Sequence, residues 1–239
     1  MATAAILLCA LQTEPGGDDR PQFFFSVYGG AEFTVDSDLD LRRPGTDLTF
    51  EDVPWENRSF RAPPYYGLRA GIFFGARSAW GIGLEFIHAK VIAEVEEVVR
   101  VSGMRDGLPV DGDERIDQTI ASFELTHGLN FVFANAMYRF LFEEESFWSR
   151  FEPYLGAGMG IVIPHAEASI GTESTGGYVF GGLGYQAFAG LSALVAGPVA
   201  VFVEVKITYA DLDPLDAPGG TIRVAPVAHQ VAFGITVRI

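Results

Sequence analysis

The chain has 239 residues, of which 49% are hydrophobic and 20% charged, with 28 glycines and 20 phenylalanines. This balance is richer in small and aromatic residues than that of an ordinary soluble domain, and it suits strands that pack closely in lipid. The formal net charge of −15 argues against nucleic acid as a partner, because a phosphate backbone is met by a surplus of Lys and Arg.

The N-terminal residues are predicted to lie outside the folded domain. Residues 4–11 form a short apolar run that is similar to the core of a secretory signal but has no basic residue before it. The single cysteine, Cys9, lies in this run, so the sequence offers neither a disulfide framework nor a cysteine-based metal site. We predict a signal-like or disordered segment over 1–21 and one domain over 22–239.

Eight segments along that domain alternate between apolar and polar or small residues with period 2, which is typical of strands with one apolar face. Each is at least about as long as the 9 to 11 residues that a tilted membrane-crossing strand needs. In chain order they cover residues 22–34, 64–76, 79–93, 120–142, 151–165, 178–195, 199–210 and 226–239. An even number of strands favours a closed antiparallel barrel, because closure leaves no unpaired edge in lipid.

The connections between these segments alternate in length. They are short at 76–79, 142–151 and 195–199 and long at 35–63, 94–119, 166–177 and 211–225. Outer-membrane barrels show this asymmetry, with short periplasmic turns and longer extracellular loops. We therefore predict an all-β fold, an eight-stranded antiparallel up-and-down transmembrane β-barrel, located in the bacterial outer membrane.

Acidic runs at 36–40 and 111–117 fall in two of the long connections. They predict solvated acidic loops, and the alternative is that they bind divalent cations at an anionic membrane surface.

A membrane-spanning helix is the main competing interpretation for residues 174–203, which contain no charged residue and are long enough to span a bilayer. Glycine recurs through this segment, and each glycine weakens a helix. Pro198 would remove a helical hydrogen bond and clash with the preceding turn. Two strands joined at residues 196–198 fit the segment better.

The alternation also predicts which side chains face lipid. The last strand places Val227, Val231, Phe233, Ile235, Val237 and Ile239 on its lipid face and Gln230, Ala232, Gly234, Thr236 and Arg238 on the other. Along the other strands the lumen-facing positions are expected to include Glu32, Arg69, Glu85, Glu124, Asn130, Glu204 and Lys206. An eight-stranded barrel is too narrow for a wide pore, so we predict a packed polar plug and not a catalytic network.

All four histidines are expected to point away from the lumen. His88 shares its face with Trp80, Ile82, Leu84 and Phe86, His127 with Phe123, Leu125, Leu129 and Phe131, His165 with Leu155, Met159, Ile161 and Ile163, and His229 with Val227, Val231 and Phe233. Each lies towards the strand end that meets a long connection, near the outer-leaflet headgroups. Counted from the turn between their strands, His127 and His165 are roughly level, and His88 on the next strand is the candidate third member of a cluster. His229 is expected to be separate.

Outward histidines have two interpretations. Histidine is the commonest transition-metal ligand and transfers protons near neutral pH, so a cluster of them could hold iron, zinc or copper beside a bound lipid. The alternative is that the rings anchor the strands at the membrane interface, as aromatic girdles do, with Lys90 reaching the headgroups in the same way.

Several blocks carry a resemblance to a known family. They are Val27–Gly30, Pro63–Arg69, His88–Val91, Thr126–Asn130, Pro164–His165, Glu204–Lys206 and His229–Gln230. Together they resemble the lipid A oxidase family of α-proteobacterial, especially rhizobial, outer membranes. The resemblance implies an oxygen-dependent oxidation of the proximal glucosamine of lipid A to an aminogluconate unit at the outer leaflet, with hydrogen peroxide as the other product.

We accordingly predict an enzyme that modifies lipid A in the outer membrane. His88, His127 and His165 are the candidate catalytic and metal-binding residues, and Lys90 and Tyr66 are the candidates to position substrate phosphates. The expected cofactor is a divalent transition metal, iron before others, with molecular oxygen as co-substrate. No nucleotide cofactor is expected, because the sequence has no phosphate-cradling Gly-Lys loop. A monomer is expected.

Two other functions stay open at this stage. A non-catalytic barrel would serve membrane integrity, adhesion or surface evasion through its acidic loops. A lipid A deacylase would need a Ser-His-acid arrangement on the lipid face. Ser122 is the serine nearest to His127 in sequence, but the alternation places it on the lumen side.

Overall fold

The computed structural model describes residues 20–143 and 146–239, so most of the segment predicted to be signal-like lies outside the described residues. The strands are β1 (Gln22–Thr34), β2 (Ser37–Arg43), β3 (Thr46–Val53), β4 (Trp55–Asn57), β5 (Tyr66–Phe73), β6 (Trp80–Ala93), β7 (Val98–Arg105), β8 (Leu108–Arg115), β9 (Ser122–Arg139), β10 (Phe151–Ile170), β11 (Glu173–Tyr178), β12 (Gly182–Ala196), β13 (Val199–Leu212), β14 (Leu215–Ala217), β15 (Gly220–Val224) and β16 (Val227–Arg238). Short 3₁₀ turns cover Ile116–Gln118 and Phe147–Arg150. Within the described ranges, no helix is long and apolar enough to cross a membrane.

Eight of the strands close into an antiparallel barrel. The circuit runs β1, β5, β6, β9, β10, β12, β13, β16 and back to β1, and each neighbouring pair is hydrogen-bonded. The predicted fold class is confirmed, and each predicted segment coincides with one barrel strand to within a few residues. Residues 174–203, the competing helix, form β11, β12 and the start of β13 as strands.

The long connections are more ordered than predicted. Strands β14, β15, β2, β3, β7 and β8 pair in this order into a six-stranded antiparallel sheet, which we call the outer sheet. The acidic runs predicted to lie in loops fall largely on strands β2 and β8. In β2, Asp38 and Asp40 alternate with Leu39 and Leu41, which are fully buried. The acidic residues are therefore the solvated face of a sheet whose other face is apolar.

The outer half of the barrel lumen is filled by apolar side chains that continue into the outer sheet. Phe123, Leu125, Leu129 and Phe131 are buried in this core, although they were predicted to face lipid. The two faces of β9 are thus reversed, and Val132 is the exposed neighbour. The alternation along β9 is real, but where the lumen itself is apolar the apolar face of a strand does not identify the lipid side.

The middle of the lumen holds the predicted polar plug. Arg69 donates two hydrogen bonds to Glu204, of 2.8 and 2.9 Å, and one of 2.8 Å to Glu85. Lys206 Nζ donates to Glu85 at 2.6 Å and lies 3.4 Å from Glu204, so two carboxylates balance two cations. We call these four residues the lumen cluster. Glu32 is also buried, whereas Glu124 and Asn130 lie on the opposite face of β9 from the one predicted.

Candidate functional site

The outside of the barrel is apolar around its circumference. Phe25, Leu84, Val205 and Phe233, from four different strands, expose between 46% and 65% of their surface. Aromatic residues form girdles at both ends, with Trp80 packed against Tyr138 near the short turns, and Tyr185 stacked on Tyr209 towards the outer sheet. A closed sheet that satisfies its own backbone hydrogen bonds while it exposes apolar side chains has the surface that lipid requires.

The chain is an outer-membrane β-barrel. Its outer end is the one that carries the outer sheet, because long connections face the cell exterior in such barrels. We therefore expect outward groups near this end of the wall to lie close to the outer-leaflet headgroups.

Two of the predicted histidines meet at this level. The ring centroids of His127 on β9 and His165 on β10 are 4.7 Å apart, which agrees with the prediction that they are level. Glu167 joins them, with its Oε1 2.7 Å from His127 Nδ1 and 3.3 Å from His165 Nδ1. His127 exposes 65% of its side chain, Glu167 36% and His165 19%. We call these three residues the histidine–glutamate cluster.

A local break in the sheet places His127 on the outside. The pairing of β9 shifts register against β10 between Pro164 and Glu167, and against β6 between Ala89 and Val91. At this break Gly128 has a φ of +133°, a conformation that favours glycine. His127 therefore emerges from the wall although Phe131, four residues further along, points into the lumen. His127 points outward as predicted. The apolar residues that were assigned to the same face point into the lumen instead, so the prediction was right for a different reason.

His88 does not join this cluster. Its Nδ1 lies 2.9 Å from Asn130 Oδ1, and its ring stacks on Tyr66 at a centroid distance of 5.2 Å. Asn130 Nδ2 donates to the carbonyl of Ile163 at 3.2 Å, which orients the amide so that Oδ1 accepts a hydrogen bond from His88 Nδ1. His88 Nε2 is buried without a hydrogen-bond partner in the part of the chain that the structure describes.

The two predicted substrate-binding residues are engaged in contacts outside the histidine–glutamate cluster. Lys90 Nζ donates to the carbonyl oxygens of Ala62 at 2.9 Å and Arg61 at 3.4 Å, which ties β6 to the connection before β5. Tyr66 packs its ring on His88. In the same connection, Arg58 donates a hydrogen bond of 2.9 Å to Glu56 and lowers the pKa of that carboxyl. The outer rim on this side therefore carries Lys90 and the ion pair of Arg58 with Glu56.

His229 is separate, as predicted. It is exposed on β16, where it pairs with Phe33 of β1 and Ile207 of β13, on the far side of the barrel circuit from β9 and β10. It provides a natural control for experiments on the other histidines.

The sequence did not lead us to Glu167 or Tyr178 as site residues, and it placed Asn130 in the lumen although Asn130 points outward. Glu167 follows His165 by two residues, so the period of a strand already places the two side chains on one face. Tyr178 packs edge-on against His165 at 4.6 Å and donates a hydrogen bond of 2.8 Å to the His127 carbonyl. No sequence pattern pointed to Tyr178, because it reaches the site through the pairing of β11 with β10.

The catalytic arrangement of a deacylase is not assembled in the described residues, where no serine is hydrogen-bonded to a histidine. Ser122 lies on the outward face of β9 and not on the lumen side as predicted, since its neighbour Phe123 is buried. It pairs with Ser169, further towards the outer end than the pair formed by Glu124 and Glu167.

No protein-family model matches the sequence, and no curated protein matches it significantly. Among solved structures it is similar to Neisserial surface protein A, with 11% identity, 91% of this chain and 96% of that chain covered, and a TM-score of 0.40. It is also similar to the N-terminal β-barrel domain of Pseudomonas aeruginosa OprF, with 10% identity, coverage of 94% and 100%, and a TM-score of 0.43. Ail, the attachment invasion locus protein of Yersinia pestis, shows 13% identity, coverage of 92% and 99%, and a TM-score of 0.40.

Proposed function

We propose that this barrel is an enzyme that modifies lipid A from the outer leaflet, by oxygen-dependent oxidation of the proximal glucosamine to an aminogluconate unit. The observation that carries the proposal is the convergence of His127, His165 and Glu167 on the lipid side of the wall, at its outer end. Outward polar groups at the outer end of the wall face the lipid headgroups and not the hydrocarbon core, where they would be costly. A lipid headgroup is the partner within reach.

The proposed reaction needs no reductant. The anomeric carbon of a glucosamine with a free 1-hydroxyl loses a hydrogen from C1 and one from the hydroxyl, that is two electrons and two protons, and becomes a lactone. Molecular oxygen takes up both electrons and both protons and leaves as hydrogen peroxide. One water then opens the lactone to the aminogluconate. The polar groups of the site serve to hold the sugar and to accept its protons.

The wall beneath the cluster suits an acyl chain. Ala136 of β9, Ala157 of β10 and Ala187 of β12 lie side by side on the outward face, in register across three strands. Leu155 and Met159 project beside them and expose 48% and 55% of their surface. Short side chains between longer ones leave room for an apolar chain to pack across these strands. A lipid packed there would present its sugar to the histidine–glutamate cluster.

The test is mass spectrometry of lipid A from a strain that lacks the gene, complemented with wild-type protein, His127→Ala or His229→Ala. We expect the aminogluconate species, one oxygen atom heavier than the glucosamine form, with wild type and His229→Ala but not with His127→Ala. Purified barrel and a lipid A with a free 1-hydroxyl should form the same product in air and not under nitrogen. Unchanged lipid A in cells and in the purified reaction would refute the proposal.

A second candidate is a non-catalytic surface protein, which the ordered outer sheet favours. Strand β2 presents Asp38 and Asp40 above the buried Leu39 and Leu41, and strand β8 presents Asp111 to solvent. Such a protein would lose its phenotype when the hairpin β7–β8 is replaced by a short turn and would keep it in His127→Ala. If the protein is the proposed enzyme, His127→Ala should abolish the phenotype.

A further inference from the structure

We propose that His127, His165 and Glu167 form a binding site for one divalent transition-metal ion. The inference deepens the function proposed above, on which its catalytic meaning rests, but the site itself is tested by metal binding alone. It differs from the metal site predicted from the sequence, because Glu167 takes the place of His88.

The three side chains already offer ligand atoms at close range. One nitrogen of each histidine and one carboxylate oxygen lie within 4.8 Å of one another. Both Nδ1 atoms approach the same oxygen of Glu167, at 2.7 and 3.3 Å. Ligand atoms that each lie about 2.0–2.2 Å from one ion are separated from one another by distances similar to these two. Small rotations of two partly exposed side chains would admit the ion.

One buried nitrogen of the site lacks a hydrogen-bond partner among the described residues. His165 Nδ1 is buried and makes no hydrogen bond with any residue that the structure describes, although Glu167 lies 3.3 Å away. A buried polar atom without a partner is costly, and an ion would satisfy it. Glu167 is moreover paired across the strands with Glu124, so two carboxylates stand opposite each other on one face. Like charges in such a pair repel, and a bound cation would relieve the repulsion.

The framework around the ligands is fixed. Tyr178 packs against the His165 ring and donates to the His127 carbonyl, which holds β9, β10 and β11 together at the site. The bulge at Gly128 turns His127 towards β10. The ligand set is therefore positioned by strands on a barrel wall and not by a mobile loop.

The ligand types select the class of ion. Two imidazoles and one carboxylate suit Fe²⁺ and Zn²⁺, and the combination with open positions is the one used by non-haem iron oxygenases. Calcium and magnesium prefer oxygen ligands throughout. A redox-active ion bound here would supply one-electron chemistry between the sugar and molecular oxygen. The exposed side of the cluster, where His127 is 65% accessible, leaves room for a substrate.

His88 lies outside the proposed ligand set. It is held by Asn130 and Tyr66, and its Nδ1 is used in the bond to Asn130. We expect removal of His88 to leave metal affinity unchanged within a factor of about two, since an independent neighbour contributes little to a ligand set. This expectation separates the present site from a three-histidine site.

The experiment is a titration of the full-length, metal-free barrel, folded in detergent, with Co²⁺ followed by visible absorption and with Zn²⁺ followed by calorimetry. We expect one ion per chain for the wild type and for the controls His229→Ala and Glu173→Gln. His127→Ala, His165→Ala and Glu167→Gln should each weaken binding by more than about tenfold, because loss of a ligand exceeds the effect of an outer-shell change. Far-ultraviolet circular dichroism and the mobility of the unheated barrel in gels check that each variant is folded.

The results distinguish the two proposals. If folded wild-type barrel binds neither ion more tightly than His127→Ala does, or if His88→Ala weakens binding as much as Glu167→Gln, the proposed site is refuted. Loss of metal binding with lipid A oxidation intact would refute the site but leave the enzyme standing. Tight metal binding that depends on the three ligands, without any change in lipid A, would support the metal site and refute the proposed enzyme.

Discussion

The barrel contains two groups of charged side chains that differ in where they lie and in how densely they are hydrogen-bonded. In the lumen cluster, Glu85 accepts hydrogen bonds from Arg69, Lys206, Tyr28, Asn135 and Gln186, so both of its oxygens are used. In the histidine–glutamate cluster, a buried imidazole nitrogen has no hydrogen-bond partner among the described residues. The lumen cluster is enclosed and balanced in charge, although Arg69 Nε lacks a partner within the described ranges, and such a densely bonded buried network stabilises one structure. The histidine–glutamate cluster lies on the outside of the wall, where 65% of the His127 side chain is accessible to a ligand. The comparison therefore supports a structural role for the first group and is consistent with the proposed role of the second.

The largest effect on stability should come from breaking the lumen cluster. Replacing Glu85 by Leu leaves Arg69 and Lys206 with one carboxylate between them, and breaking a buried ion pair in this way costs about 3–5 kcal/mol. Denaturant unfolding of the barrel in micelles measures the change in the free energy of unfolding. Glu173→Gln, on the exposed strand β11, is the matched control and should change it by less than about 0.5 kcal/mol. A Glu85→Leu barrel as stable as this control would show that the plug is not the stabilising element.

A second substitution acts on the site through the backbone. A Cβ at Gly128 would lie 2.5 Å from Asn130 Nδ2, and the φ of +133° is strained for any residue with a side chain. We expect Gly128→Ala to lower the free energy of unfolding by about 1–3 kcal/mol and to displace both His127 and the amide that holds His88. Co²⁺ affinity and lipid A modification should fall together. Normal metal affinity in this variant would mean that the bulge does not position His127.

The cluster itself should be nearly neutral for stability. His127→Ala removes an exposed side chain, so the free energy of unfolding should change by less than about 0.5 kcal/mol while lipid A modification is lost. Unfolding curves and lipid A spectra of the same variant give both quantities. Were this substitution to destabilise the barrel as Glu85→Leu does, the division between a structural and a functional group would not hold.

The smallest effect is expected from Asn130, which lies outside the proposed ligand set. Asn130→Leu removes the acceptor for His88 Nδ1 but touches none of the three proposed ligands. We expect metal affinity to stay within a factor of about two and lipid A modification to decrease without disappearing. Titration with Co²⁺ and quantitative mass spectrometry of lipid A separate these outcomes. A complete loss of metal binding would place Asn130 and His88 in the site itself.

Parts of the candidate site were predictable from the sequence. His127 and His165 were expected to be outward and level, and their rings lie 4.7 Å apart. Glu167 was within reach of the same reasoning, since it follows His165 by two residues on one strand face. Asn130 and Glu124 were assigned to the wrong side, because the face of β9 was inferred from hydrophobicity in a barrel whose outer lumen is itself apolar.

The sequence by itself determined the eight barrel strands, their short turns and the outward faces of β6, β10 and β16. These features follow from period-2 alternation and turn residues, which act over a few neighbouring positions. Only the tertiary structure decided the outer sheet, where β3 pairs with β7 from a different connection, and the meeting of two histidines with Glu167. The outer sheet and the cluster both depend on the register between segments that are distant in the sequence. A single bulge, such as the one at Gly128, changes which side chains meet without changing the alternation on either side of it.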